Sequence, residues 1–188
     1  MTRETTESAG GGKKGKGGPS KLPSRIGIGI GAVVVVYLVW SMSGGNLLDE
    51  GTPAPAWKLP NADGSGGTLS LDDHEGEVVV LDFWSTTCAP CMRQMKDLEA
   101  IHRRMSDRGV KVVGVACGGE SVKRIEKFKN DSNVAYDLVV DDGEVTLAYK
   151  VLSLPTIYVI GRDGKIAAAH RGYWDGDDLA KAVNRALD

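Results

Sequence analysis

Cys88 and Cys91 stand three positions apart, with Ala89 and Pro90 between them. Two thiols at that spacing can close into a disulfide and be reduced again, so the pair can exchange electrons with the cysteines of a partner. Cys117 lies alone, and three cysteines are too few to staple a scaffold. A structural zinc site needs four ligands, usually a second C-x-x-C or a histidine pair. This chain has no second C-x-x-C, and His74, His102 and His170 are widely scattered, so no metal is assigned. The redox-active Cys88–Cys91 disulfide is the only reactive group expected, with no separate cofactor.

The sequence around the pair says what holds it. Val78–Trp84 is almost continuously apolar, which suits a central strand buried on both faces. From Cys88 the period becomes helical: Met92, Met95, Leu98, Ile101 and Met105 form one apolar face that ends at Gly109. Cys88 therefore falls at a strand-to-helix junction. Free backbone N–H groups and the helix dipole there stabilise a thiolate, which makes Cys88 the nucleophile. Cys91, one turn on, shares that helix face and can attack the mixed disulfide to release the partner. Pro90 is tolerated because first-turn N–H groups have no acceptor within the helix.

Further elements follow the same periodicities. Thr68–Leu71 and Lys111–Cys117 read as strands, and Val122, Ile125 and Phe128 mark a helix. Tyr136–Val140 is a short strand and Val145–Val151 a helical stretch. Ile157–Ile160 and Lys165–His170 form a hairpin around Arg162-Asp163-Gly164, and Leu179, Val183 and Leu187 mark a last helix. The alternation is an α/β pattern, which does not by itself name a fold.

Residues 1–25 carry six basic residues against two acidic ones, which leaves the remainder at -6 within an overall charge of -2. A mildly acidic main domain argues against nucleic acid as its partner. The basic tail is rich in Gly, Lys, Ser and Thr and is expected to be disordered. Ile26–Leu48 holds no charged residue, and residues 26–43 are expected to form one N-terminal transmembrane helix. Lysines and arginines precede it and Asp49 and Glu50 follow, so the tail stays in the cytoplasm and the rest is exported. A retained anchor is preferred to a cleaved signal peptide because the apolar core exceeds a usual signal core, although Ser41-Met42-Ser43 offers small residues for cleavage. Residues 44–52 are read as a linker and 53–188 as the folded domain.

The stretch Leu81-Asp-Phe-Trp-Ser-Thr-Thr-Cys-Ala-Pro-Cys91, together with Gly51–Pro60 and Ser153-Leu-Pro-Thr156, resembles the TlpA/ResA-like, membrane-anchored branch of the thioredoxin superfamily. The resemblance covers Gly51 to Asp188. It implies a thioredoxin-like fold, a central mixed β-sheet flanked by helices, with a helix–strand insertion across about 120–140. It also implies a cis Pro155 facing the disulfide, with the backbone of Leu154 and the neighbouring Thr156 presented to a substrate chain. Asp82 matches the buried acidic residue of thioredoxin; a desolvated carboxyl there could accept the Cys91 proton, the plainer alternative being a solvated or hydrogen-bonded strand-end aspartate. Trp84 is expected to shield the site or to serve as a core aromatic. Two positions depart from the branch: Thr87 replaces the usual Trp before the first cysteine, and Lys96 replaces a helix-kinking Pro.

The activity implied is a thiol–disulfide oxidoreductase that reduces exported protein substrates with cysteine pairs, such as those of cytochrome c maturation. It would be recharged by a membrane electron donor of the DsbD/CcdA type and would reside in the cytoplasmic membrane with its domain on the periplasmic side. Two alternatives stay open. One is a disulfide oxidase or isomerase. The other is a copper-delivery or metallocentre-assembly module that would use His170. Cys117 is read as a small core residue rather than a third reactive thiol, and His74 and His102 as surface residues.

Overall fold

In the computed structural model, which describes residues 46–188, Val78–Trp84 is buried at all seven positions, as a strand covered on both faces requires. In chain order the elements are β1 (Lys58–Pro60), β2 (Thr68–Ser70), β3 (Val78–Trp84), α1 (Ala89–Met105), β4 (Val110–Ala116), α2 (Val122–Ser132), β5 (Asp137–Val140), α3 (Glu144–Ala148), β6 (Thr156–Ile160), β7 (Ile166–Arg171) and α4 (Gly176–Leu187). The main sheet has the order β5-β4-β3-β6-β7. β3, β4 and β5 run parallel, and β6 and β7 pair antiparallel. The parallel crossovers are made by α1 and α2, and β6 and β7 form the expected hairpin. The helix–strand unit foreseen near 120–140 is α2 and β5, which adds an edge strand to β4.

Alternate residues of β3 divide the core into two layers. Val78, Val80 and Trp84 face α1, α2 and α4. Val79, Leu81 and Phe83 face the opposite side, where Trp57, Leu59, Val145 and Tyr149 cover them. Cys91, Met95, Leu98, Ile101 and Met105 are the buried stripe of α1, spaced at i, i+3, i+4 and i+7 as an amphipathic helix demands. The helix passes through a short 3-10 turn to Gly109, whose φ of +81° is the left-handed conformation that glycine adopts without a Cβ penalty.

Three expectations need correction. The segment read as a linker is joined to the domain: the Leu48 N–H donates to Tyr158 Oη at 3.2 Å and the Gly51 N–H to the Ile166 carbonyl at 2.8 Å. Lys58–Pro60 pairs with Thr68–Ser70 as a two-stranded ribbon, a pairing invisible in three-residue strands with no clear alternation. His74 is buried rather than at the surface, with Nδ1 3.3 Å from Glu77 Oε2, and His102 is half-buried. The tail and the anchor expected over 1–43 lie outside the described residues; among the described residues no helix is long and apolar enough to cross a membrane.

Candidate active site

Parallel β3 ends at Trp84, and four residues later the chain enters α1. Cys88 is the N-cap of that helix, with φ -92° and ψ 98°, and Ala89 and Pro90 occupy the first turn. The Cys91 N–H points at Cys88 Sγ at 3.3 Å, so a backbone donor is aimed at the sulfur. Donors of this kind stabilise a thiolate at a helix start. The two cysteines are joined in a disulfide with Cα atoms 5.3 Å apart. They differ in access: Cys88 is half-exposed next to exposed Thr87, whereas Cys91 is fully buried. Only the first sulfur can meet a macromolecular partner; the second can meet only the first.

Asp82 lies on the α1-facing side of β3, two residues before Trp84. It is fully buried and neither carboxyl oxygen has a hydrogen-bond partner. Desolvation alone pushes its pKa up to about 8. The plainer alternative of a solvated strand-end aspartate is therefore wrong for this chain. Trp84 is also fully buried, with its ring centre 4.9 Å from that of Phe128 and the planes tilted by 39°.

The Leu154–Pro155 bond is cis, and Pro155 is buried at the start of β6. Its carbonyl accepts from the Gly172 N–H at 2.8 Å, and Thr156 Oγ1 donates to the Ser153 carbonyl at 2.7 Å. Leu154 is half-buried and Leu152 stands 65% exposed beside it, so the loop presents apolar side chains to solvent.

Two supports escaped the sequence reading. Fully buried Gln94 donates through Nε2 to the Trp174 carbonyl at 3.1 Å and accepts through Oε1 from the Trp174 N–H at 2.7 Å. It thereby fastens α1 to the loop that follows β7. A polar residue on the apolar stripe between Cys91 and Leu98 was the available signal. The second support is Glu120, whose Oε1 accepts from the Thr86 N–H at 3.1 Å and from Thr86 Oγ1 at 2.5 Å. Arg124 closes the ring, with Nε 3.0 Å from Glu120 Oε2 and Nη2 donating to Thr86 Oγ1 at 3.0 Å. This clamp joins residues 34 to 38 positions apart, which no local pattern reveals.

The remaining candidates are placed elsewhere. Cys117 belongs to the opposite layer, accepts from Thr146 Oγ1 at 3.3 Å, and has its pKa pushed up to about 11 by burial. A buried thiol of that kind is inert packing. His170 stacks on Trp174 with ring centres 5.0 Å apart, and its Nε2 lies 3.2 Å from the Tyr173 carbonyl.

A half-exposed cysteine at a helix start, a buried partner one turn on and a cis-proline loop on a mixed sheet define a thioredoxin-like thiol–disulfide oxidoreductase. The chain belongs to the AhpC/TSA family, whose sequence profile matches residues 51–169. Thiol-disulfide oxidoreductase ResA of Bacillus subtilis (strain 168) is 32% identical over 131 residues, 69% of this chain and 72% of that one. Thioredoxin-like protein YneN of the same organism is 30% identical over 126 residues, 66% of this chain and 73% of the relative. A putative thiol:disulfide interchange protein DsbE from Chlorobium tepidum superposes with a TM-score of 0.69 at 29% identity, covering 75% of this chain and 99% of that one.

Proposed function

We propose that this oxidoreductase works as a reductant outside the cytoplasmic membrane, held there by residues 26–43, with residues 1–25 as a cytoplasmic tail. The observation that carries the site assignment is the asymmetry of the pair: an accessible sulfur facing a backbone donor above a fully buried one. The Cys88 thiolate attacks a client disulfide, and one client sulfur leaves as thiolate. Cys91 gives its proton to the Asp82 carboxylate, then attacks the Cys88 sulfur and expels the second client thiolate. The chain is left as the Cys88–Cys91 disulfide, and the client has gained two electrons.

An acceptor with a pKa near 8 is closely matched to a thiol, so the transfer from Cys91 to Asp82 runs with little driving force in either direction. The client lies along the cis-proline loop and pairs with the backbone of Leu154 in strand fashion, with Thr156 holding the loop. Pro90 keeps the first turn rigid, and Trp84 packs the layer under the disulfide. A membrane thiol protein of the DsbD/CcdA type returns the electrons, and apocytochrome c cysteine pairs fit the client description. The uncharged stretch from Ile26 to Leu48 after a basic tail supports the location.

The test uses Cys91→Ser in the full chain. It should accumulate mixed disulfides through Cys88, and the trapped clients should be exported proteins with paired cysteines. The parent pair should have a reduction potential near that of thioredoxin, about -270 mV. A value near about -120 mV would assign it to disulfide formation instead. A thiol reagent that cannot cross membranes should label reduced Cys88 in intact cells; protection of Cys88 there would refute the location.

A further inference from the structure

The α1-facing layer contains more unpartnered polar atoms than the Cys88–Cys91 chemistry uses. Besides both Asp82 oxygens, Trp84 Nε1, Tyr136 Oη and His102 Nδ1 are buried there without a hydrogen-bond partner. Buried polar groups are almost always satisfied, by protein or by ordered water, so several orphans in one layer call for a common explanation.

Sheet register shows how they are arranged. Asp82 on β3 is opposite Gly114 on β4, which is opposite Leu138 on β5. Gly114 therefore contributes no side chain to the row that Asp82 occupies. A Cβ there would stand 2.6 Å from Leu138 Cδ2 and 3.0 Å from Trp84 Nε1, so the indole nitrogen lies over the glycine. Tyr136 precedes Leu138 by two residues and joins the same layer. Its ring is 6.2 Å from that of His102, which lies half-buried on α1. Across the layer the residues thus follow in the order Asp82, Gly114 with Trp84 over it, Tyr136 and His102.

We infer that this file of groups, bridged by buried water, is the route by which the proton taken from Cys91 leaves Asp82 for solvent, with Tyr136 as the relay and His102 as the outlet. The inference rests on the proposal that Asp82 accepts that proton. The carboxyl, the indole N–H and the phenol are the unpartnered groups that bridging water would bond. Burial holds the Tyr136 phenol well above its ordinary pKa, with Asp82 and Glu99 adding to the effect, so it stays neutral. A neutral hydroxyl relays by accepting one proton as it donates another, with no net ionisation. His102 then gives the proton to bulk water, and atoms and charge balance.

The other groups packed on this layer do not compete. α2 sends Ile125 and Phe128 inward and pairs its Lys129 with Asp137 at 3.9 Å. α4 contributes Leu179, Ala182 and Val183. On α1, Glu99 is held by Arg103 at 2.9 Å and by the Ala135 N–H at 3.2 Å. Cys91 is the source of the proton.

The experiment follows the resolution of a glutathione mixed disulfide at Cys88 in the reduced full chain, across the pH range on both sides of about 8. Tyr136→Phe keeps the ring and removes only the hydroxyl. Its pH midpoint should rise by about half a unit to one unit, a three- to tenfold loss of rate below the midpoint, because the water bridging to the carboxylate loses the phenol donor. His102→Gln should leave the midpoint in place and slow the proton-limited rate, with a larger solvent isotope effect. Profiles of both variants that coincide with the parent would overturn the route. Asp82→Asn separates the two claims. If it flattens the profile while Tyr136→Phe leaves it unchanged, the route alone is wrong. If Asp82→Asn keeps the parent profile, Asp82 is not the acceptor and both fall.

Discussion

The two layers on either side of the sheet treat their polar groups differently. In the layer away from α1, Tyr158 Oη donates to the Tyr149 carbonyl at 2.6 Å and Tyr149 Oη to the Pro55 carbonyl at 2.7 Å. Asp141 in that layer accepts from the N–H groups of Val145 and Thr146, at 3.1 and 2.8 Å, and Cys117 is bonded on two sides. In the layer under α1, Asp82, Trp84 and Tyr136 keep unpartnered atoms, and in the opposite layer Trp57 Nε1 does. Desolvation without hydrogen-bond partners favours the neutral form of a carboxyl, as at Asp82. The layer proposed to move protons is the one that holds an unpartnered buried carboxyl. Asp82 and Asp141 are buried to similar depth, but Asp141 has hydrogen-bond partners and Asp82 has none.

The contrast between the layers breaks first at the cysteines. Cys88→Ser should reduce thiol–disulfide exchange to background, a loss of about a thousandfold or more, measured as disulfide reductase turnover. If Cys117→Ala produced a comparable loss, the division of labour between the layers would be wrong.

Next in size is the pH dependence of stability. The Asp82 pKa rises from 3.8 unfolded to about 8 folded, so between those values the native state holds a proton that the unfolded chain has released. The contribution of neutral Asp82 is complete below about pH 4 and declines as pH rises toward about 8, by up to about 1.4 kcal/mol per pH unit. Denaturant titrations should show Asp82→Asn gaining on the parent across that window and running parallel to it above. A constant difference between them would show that Asp82 is charged when folded.

Gln94→Leu should cost about 2 kcal/mol, because the Trp174 N–H and carbonyl lose both partners at a buried junction. It should also loosen the wall beside the pair, seen as faster amide exchange at Trp174. The smallest expected effect is that of Cys117→Ala itself: about 1 kcal/mol of stability from the lost sulfur packing, with turnover unchanged.

The legible parts of the molecule were those written in local pattern. The seven-residue run of β3 and the methionine–leucine–isoleucine stripe of α1 carry their periods in the sequence, and the C-x-x-C at their junction needs no partner to be noticed. The β6–β7 hairpin around Arg162-Asp163-Gly164 was equally visible. The brief β1–β2 ribbon was not, because three-residue strands owe their form to pairing and lack a pattern of their own. His74 was misplaced because a short 3-10 turn folds it inward, and its polar neighbours Asp72, Asp73 and Glu75 suggested a solvated segment.

By itself the sequence determined which atoms can react, since sulfur chemistry depends on residue type and on one turn of helix, both of which are local. It also determined the order of the main-sheet strands and the helices, because their hydrophobic periods are local too. Only the tertiary structure decided that Asp82 is buried without partners, that Glu120 grips Thr86 across 34 residues, and that Cys117 faces the other layer. Desolvation and long-range hydrogen bonding depend on what the rest of the chain brings near a group, and no stretch of neighbouring residues specifies that.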